Sequence, residues 1–508
     1  MPVHAPDLTL VIDIGKSHAR LLLFDARGTV LEQHARANAS VDSAMGYPAL
    51  DVHGLERWMQ ASLRGSENAR RCGHVIACTH GAALVALDGA GADAGLAWEP
   101  LDYEYAALDG AAAQDFAAGN DFGETLSPEL PAGLNAARQL WWMENTHPAA
   151  WRRTRCLVPY AQYWAWRLSG VACSEVSSLG CHTHLWNPHT GDFSRLARAR
   201  GWAQRFAPLR SAWEVLGPVR ADVAAPWGLP AAARVHVGVH DSNACLARYL
   251  PGALDGAAQA EQTPLPALTL VSSGTWTVLM APGAPASALV AGQDMLANVD
   301  VTGRLTPTAR FMGGREFAHL LDGACADAAG PQDLRALVAE RLHAYPAFAA
   351  QGGPFAGRAG CVLWQDRPLP APLADALSAR QRAALAALYC AQMSCWLIHA
   401  LWGARSAAQH TVIVEGPLAH NRNYLLALQA LLPGARCHAS VDAVEGTARG
   451  AWCLVQRAHA RHARHARHAR HARHAARLEP VAPVPLPGIA DYHRHWLRQL
   501  QECTSSKV

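Results

Sequence analysis

Several short stretches of this chain carry residues that can do chemistry on a phosphate or a hydroxyl. The first is Asp13-Ile14-Gly15-Lys16-Ser17, where an apolar run turns sharply. Gly15 permits the turn and lets backbone N–H groups approach an anion, Lys16 and Ser17 can donate to phosphate oxygens, and Asp13 can hold a hydrated Mg2+. A P-loop is excluded: Leu10 stands five residues before Gly15, where that loop needs glycine, and the pattern that follows is a returning strand. The second stretch, Ser272-Ser273-Gly274-Thr275-Trp276, repeats the kit of a glycine for close approach and a hydroxyl for a phosphate oxygen. Either one alone also reads as an ordinary hairpin turn. As a pair they suit phosphoryl transfer, in which a triphosphate is gripped from both sides while its charge is redistributed.

His240-Asp241-Ser242 supplies a carboxylate that can take the proton of an attacking hydroxyl, or equally an Asp-Ser helix cap. In Thr79-His80-Gly81 a neutral imidazole can both donate and accept, which matches a polyol, although a satisfied structural histidine has the same signature. Glu415-Gly416-Pro417-Leu418-Ala419-His420-Asn421 follows an apolar strand, and its Gly-Pro turn can lay backbone flat against an adenine ring; a plain turn explains it equally well.

The elements that must position these residues are strands and hairpins. Leu8 onward reads as apolar strands separated by glycine-containing turns, and the same grammar returns at Leu268. Two such hairpins far apart in sequence predict a duplicated α/β architecture, with one loop contributed by each half. Helical patterns fall at Leu134–Glu144 and Tyr160–Leu168, where the tryptophans read as packing. The small, polar, proline-containing segment 251–266 predicts a boundary, giving an N-terminal lobe over 1–250 and a C-terminal lobe over 251–508. Within the latter, 458–488 is a His-Ala-Arg repeat and a Pro-rich linker, followed by a short helix over Tyr492–Gln501. A step of three residues advances about 300° on a helix, so the repeated histidines form no single metal-binding face.

At 508 residues the chain is too long for one core. Half its residues are hydrophobic and 17% are charged, an ordinary globular balance. The net charge of +3 misleads: seven arginines and no acid lie between Arg457 and Arg477, so the remainder is net acidic and offers no general surface for nucleic acid. No apolar run is expected to reach the ~20 residues that span a bilayer, and the first residues lack a signal-peptide pattern. Cys72, Cys78, Cys156, Cys173 and Cys181 are scattered singly, which predicts reduced core thiols and a cytoplasmic protein. A homodimer is the expected assembly.

Taken in order, these stretches resemble the FGGY family of carbohydrate kinases over nearly the whole chain, with the nearest likeness to its rhamnulokinase and fuculokinase branches. The resemblance implies two ribonuclease-H-like lobes of the actin/hexokinase type with a cleft between them, and ATP-dependent, Mg2+-assisted phosphorylation of a ketose. It implies Asp241 as general base and Asp13 at the Mg2+–phosphate region. Gly15, Lys16, Ser17 and Arg20 would lie near the nucleotide phosphates, with Gly274 and Thr275 meeting them from the second lobe. Gly416, Pro417 and Asn421 match its adenosine segment, although Glu415 and Pro417 replace two glycines. His80, Gly81, His240, Asp241, Ser242 and Asn298 would line the sugar site. Lys16 stands where many members have a small or hydroxyl residue, and Gln139 near the place where several have lysine. Two other readings fit parts of the sequence: a nucleotide-dependent sensor or ATPase of the same fold, and a polyanion binder working through the basic repeat.

Overall fold

Six apolar or β-branched residues and one acid, Leu8–Ile14, form β1, and every one of the seven is buried. A strand buried on both faces belongs in the middle of a covered sheet, and β1 lies between the antiparallel β2 (His18–Phe24) and the parallel β4 (Cys72–Thr79). β3 (Val30–Ala37) alternates half-buried and exposed residues, as an edge strand should, and pairs with β2. Beyond β4 lie β6 (Arg234–His236) and then β5 (Val215–Pro218), while β7 (Val239–His240) also pairs with β4. Helices cover this sheet, among them α1 (Val52–Leu63), α2 (Tyr160–Ser169) and α3 (Asp241–Ala247). The structure, a computed structural model, describes residues 8–109, 116, 119–250, 267–403, 410–442, 446–462 and 476–505.

The second sheet repeats the plan. β8 (Leu268–Ser273) is antiparallel to β9 (Thr277–Met280) and parallel to β12 (Thr411–Glu415), as β1 is to β2 and β4. Its full order is β10 (Met295–Val299), β11 (Leu305–Phe311), β9, β8, β12, β13 (Arg436–Ser440), β14 (Leu478–Pro480). The duplicated hairpin grammar of the sequence is therefore present as two sheets of like topology.

α4 (Gly313–Leu321), α5 (Ala379–Trp402) and α6 (Arg422–Leu431) accompany the second sheet. A capping box starts α5: the Ser378 hydroxyl accepts from the Gln381 N–H, and the Gln381 side chain accepts from the Ser378 N–H. The expectation about apolar runs needs one correction. Among the described residues α5 is long and apolar enough to cross a membrane, but 83% of its most apolar window is buried, so packing inside its own unit accounts for the composition.

The chain divides into two compact units that do not follow chain order. The first comprises Met1–Thr263, Ala297–Leu305 and Val444–Ala476; the second comprises Pro264–Leu296, Thr306–Ala443 and Arg477–Val508. The helix α7 (Gly446–His462) thus joins the first unit, where Gly450 lies so close to α3 that a Cβ would fall 1.8 Å from the Ala244 carbonyl oxygen. The segment 251–266 and most of the His-Ala-Arg repeat lie outside the described residues. Cys72, Cys78, Cys156, Cys173 and Cys181 are all free, buried thiols.

Candidate active site

In the first unit the parallel strands β1, β4 and β7 end side by side, with Ile14 opposite Thr79 and Thr79 opposite His240. The His80 N–H donates to the Ile14 carbonyl at 2.9 Å, which continues the alignment past the strand ends. Turns leaving the carboxyl ends of parallel strands are where open α/β sheets bind ligands. Strand register therefore gathers Asp13 to Ser17, Thr79 to Gly81 and His240 to Ser242 at one sheet edge.

The first turn is closed by the Gly15 N–H on the His18 carbonyl at 2.9 Å and braced by Asn38, whose side-chain amide donates to the Gly15 carbonyl at 2.8 Å. Ser17 is exposed at its tip. Asp13 is 3% exposed, and the Arg20 guanidinium reaches its carboxylate at 3.1 Å. The Cys78 thiol lies 3.5 Å from Asp13, and burial first, then the carboxylates of Asp13 and Asp241, push its proton affinity up. The fields of both acids thus reach the same buried sulfur.

Asp241 opens α3, its carboxylate accepting the Ser242 N–H at 2.6 Å, and 29% of its side chain remains exposed. A carboxylate at a helix start is favoured by the helix dipole. It is at once part of the helix start and open to a ligand. His240 Nε2 lies 3.2 Å from it. The Asn243 side-chain amide donates to His240 Nδ1 at 3.0 Å, which leaves the imidazole proton on Nε2. Burial holds the His240 imidazole below the usual histidine range against the pull of Asp241, so the ring is neutral at neutral pH.

His80 is likewise held low, burial outweighing its bond to the Gly81 carbonyl. Its ring meets Tyr103 and Tyr160, each at 5.3 Å between centroids. Thr79, His80, Gly81, Tyr160, Ser178 and His240 line a small cavity with room for about one water molecule. Gly81 is there because nothing larger fits: a Cβ would stand 2.8 Å from Cys181 Sγ and 2.9 Å from His240 Nε2. Gln139 steadies the loop after His80 by donating to the carbonyls of Ala82 (2.6 Å) and Gly133 (2.7 Å). Asn298, buried in the 297–305 segment, belongs to this unit; its neighbour Val299 packs on Gly180, beside Cys181.

Two features escape a reading by motif. Lys16 does not point free into the turn: its ammonium binds the carboxylate of Asp102, which also accepts the Ser40 hydroxyl. Behind His240 stands Glu175, fully buried, accepting the N–H and hydroxyl groups of both Ser177 and Ser178. Burial pushes its carboxyl up to about 7 despite those bonds. The Ser177 hydroxyl is in turn 3.4 Å from the His240 N–H. The Ser-Glu-x-Ser-Ser pattern at 174–178 signals a helix cap, and nothing in it points to His240.

The second unit collects the remaining residues. Gly274 and Thr275 form the exposed turn between β8 and β9. Gly314 supports it with an N–H to the Thr275 carbonyl at 3.2 Å, and a Cβ there would strike the Gly274 carbonyl oxygen at 2.3 Å. Ser272 is in register with Glu415, so Gly416 and Pro417 emerge beside the turn. The Ser273 hydroxyl donates to the Glu415 carbonyl (2.6 Å) and accepts the Leu418 N–H (2.9 Å). Gly416 has φ +78°, and a Cβ there would fall 2.1 Å from the Ser273 carbonyl oxygen. Asn421 caps α6, its side-chain oxygen accepting the Tyr424 N–H at 2.9 Å.

Two family models match the chain. Residues 130–247 match the N-terminal domain of the FGGY family of carbohydrate kinases, and residues 266–464 match the carbohydrate kinase FGGY C-terminal domain. The crystal structure of a carbohydrate kinase from Novosphingobium aromaticivorans is 30% identical, with a TM-score of 0.81 over 98% of this chain and 100% of that one. The chain belongs to the FGGY family of carbohydrate kinases. An L-fuculokinase of Salmonella typhi is 26% identical to this FGGY chain over 289 residues, which cover 54% of it and 56% of that protein. The match therefore spans little more than half the length of that relative. A ligand-bound xylulose kinase from Lactobacillus acidophilus, 12% identical, shares the fold with a TM-score of 0.72 over 98% of each chain. The two-unit α/β fold is that of the FGGY kinases, of the actin/hexokinase type.

Proposed function

We propose that this protein transfers the γ-phosphoryl group of ATP to a hydroxyl of a ketose, such as a 6-deoxyhexulose or a pentulose. The observation that carries this reading is Asp241: a partly exposed carboxylate at the edge where three parallel strands end, 3.2 Å from the neutral His240 imidazole and at the same strand ends as the neutral His80, both able to orient hydroxyls. Asp241 accepts the proton of the substrate hydroxyl as its oxygen bonds to the γ-phosphorus; the bond from that phosphorus to the β–γ bridging oxygen breaks, and ADP leaves. His80 and His240, uncharged, hold neighbouring hydroxyls without competing for the proton. Gly274, Thr275, Gly416, Pro417 and Asn421 are assigned to the nucleotide, and Gly15, Ser17 and Arg20 to its phosphates. The crowding of Gly314 and Gly416 against the β8 turn supports this, since a rigid backbone can present N–H groups to an anion with little reorganisation.

Mg2+ fits the donor set. Asp13 offers a hard carboxylate oxygen at the strand end, which suits an ion that keeps most of its waters and leans on phosphates. When bound, it would neutralise charge on the phosphoryl oxygens. The buried free thiols Cys72, Cys156 and Cys181, all with proton affinities raised by burial, support a reducing, cytoplasmic setting.

The test is Asp241→Asn with ADP release as readout against a panel of ketoses and polyols. Turnover should fall by roughly two to four powers of ten while ATP still binds. Turnover near that of the unaltered protein would reject the assignment, and ATP consumption indifferent to every sugar would favour a sensor or ATPase instead.

A further inference from the structure

Lys16 sits in the first phosphate-type turn, yet its ammonium is held elsewhere. Asp102, whose side chain is 3% exposed, takes it with both carboxylate oxygens and also accepts the Ser40 hydroxyl and the Glu104 N–H. Glu104 adds a second carboxylate at 3.5 Å. The ammonium lies over the Tyr103 ring, 4.8 Å from its centroid, and the same ring packs edge-on against His80 at 5.3 Å. The cation is thus anchored on the wall that carries the hydroxyl-recognising histidine. Moving it onto a phosphate would strip a deeply buried carboxylate of its counter-charge, which proteins tolerate poorly.

Asp102 takes two of the ammonium's three donors and is itself filled by the Ser40 hydroxyl and the Glu104 N–H, whereas the Glu104 carboxylate, 62% exposed, keeps acceptor sites beside the third donor. That donor and acceptor together match a hydroxyl, which donates and accepts. Around this edge the carboxylates of Asp13, Asp102, Glu104 and Asp241 outnumber the cations Lys16 and Arg20. An anionic sugar would enter a field of its own sign.

We infer that Lys16 is a specificity residue of the sugar half rather than a phosphate ligand, and that with Asp102 it restricts the acceptor to uncharged ketoses or polyols over aldonates and other sugar acids. The inference rests on the sugar-kinase reading above.

Steady-state kinetics of Lys16→Met, Lys16→Arg and Asp102→Asn separate the alternatives. Lys16→Met should raise KM for the best ketose about tenfold or more and leave KM for ATP within about twofold, as expected when one hydrogen-bonding partner of a hydroxyl is removed. Lys16→Arg, which keeps the charge, should recover part of that loss. Asp102→Asn should weaken the preference for a ketose over the corresponding aldonate about tenfold, and it decides the matter on its own if Lys16→Met does not fold. A rise in KM for ATP with KM for the ketose unmoved would overturn the inference, as would an unaltered protein that prefers aldonates. If the unaltered protein releases no ADP with any ketose, polyol or aldonate, the sugar-kinase reading itself falls.

Discussion

Arg20 stands directly opposite Asp13 across the β1–β2 ladder, and its guanidinium meets the Asp13 carboxylate at 3.1 Å. The pairing gives a buried carboxylate its counter-charge near the end of the central strand. Arg20→Ala removes the counter-charge and should destabilise the first unit by about 3 kcal/mol, whereas adding Asp13→Asn should recover part of the loss because the buried charge is gone too. Chemical denaturation of the single and double variants measures this. Equal loss in both would mean that the pair contributes nothing through charge.

Gly81→Ala tests how tightly the proposed sugar edge is packed. The added methyl meets Cys181 Sγ and His240 Nε2 below 3 Å, so His240 must shift. Overpacking of this kind costs roughly 1–3 kcal/mol. The expected result is a KM for sugar raised about tenfold with KM for ATP nearly constant; adding Cys181→Ala should restore stability more than it restores KM, because only the sulfur contact is relieved.

Gly416→Ala probes the proposed nucleotide half. It combines a left-handed backbone conformation with a Cβ 2.1 Å from a carbonyl oxygen, neither of which a flexible side chain can relieve. The second unit should lose about 2 kcal/mol or more of stability, and the rise in melting temperature that ATP produces should shrink. An ATP-induced rise equal to that of the unaltered protein would remove Gly416 from the nucleotide site.

Acid should destabilise the second unit through two histidines. Burial depresses His343 to about 3 and His493 to about 4, and neither ring nitrogen of His343 has a hydrogen-bond partner among the described residues. Below the ordinary value of about 6.5 the unfolded chain takes up protons that the native rings refuse, so stability is full above pH 6.5 and falls as the pH drops toward 4. Glu175 acts with the opposite sign in the first unit: raised to about 7, it contributes stability that is present below about pH 4.5 and lost as the pH rises through 7. His343→Phe keeps the stacking on Tyr492, at 3.8 Å between ring centroids, and removes one titration. It should flatten the fall in stability between pH 6.5 and 4; an unchanged slope would exonerate His343.

What the sequence determined by itself is local. An apolar run broken only by Thr9 and Asp13 dictates a covered strand at Leu8–Ile14, glycines at 15 and 274 dictate turns, and recurrence of that pattern announced two like halves. Strand register does the rest for the residues at strand ends, which is why Asp13, His80 and Asp241 were legible together. Only tertiary structure decided who partners whom. Lys16 and Asp102 are 86 residues apart, and a long flexible side chain goes to whichever carboxylate the fold brings near. Glu175 reads as a cap until Ser177 is seen beneath His240, and no spacing rule sends 297–305 and 444–476 to the first unit. Backbone preference is written residue by residue, whereas charge pairing and close packing depend on distances that exist only once the sheets have formed.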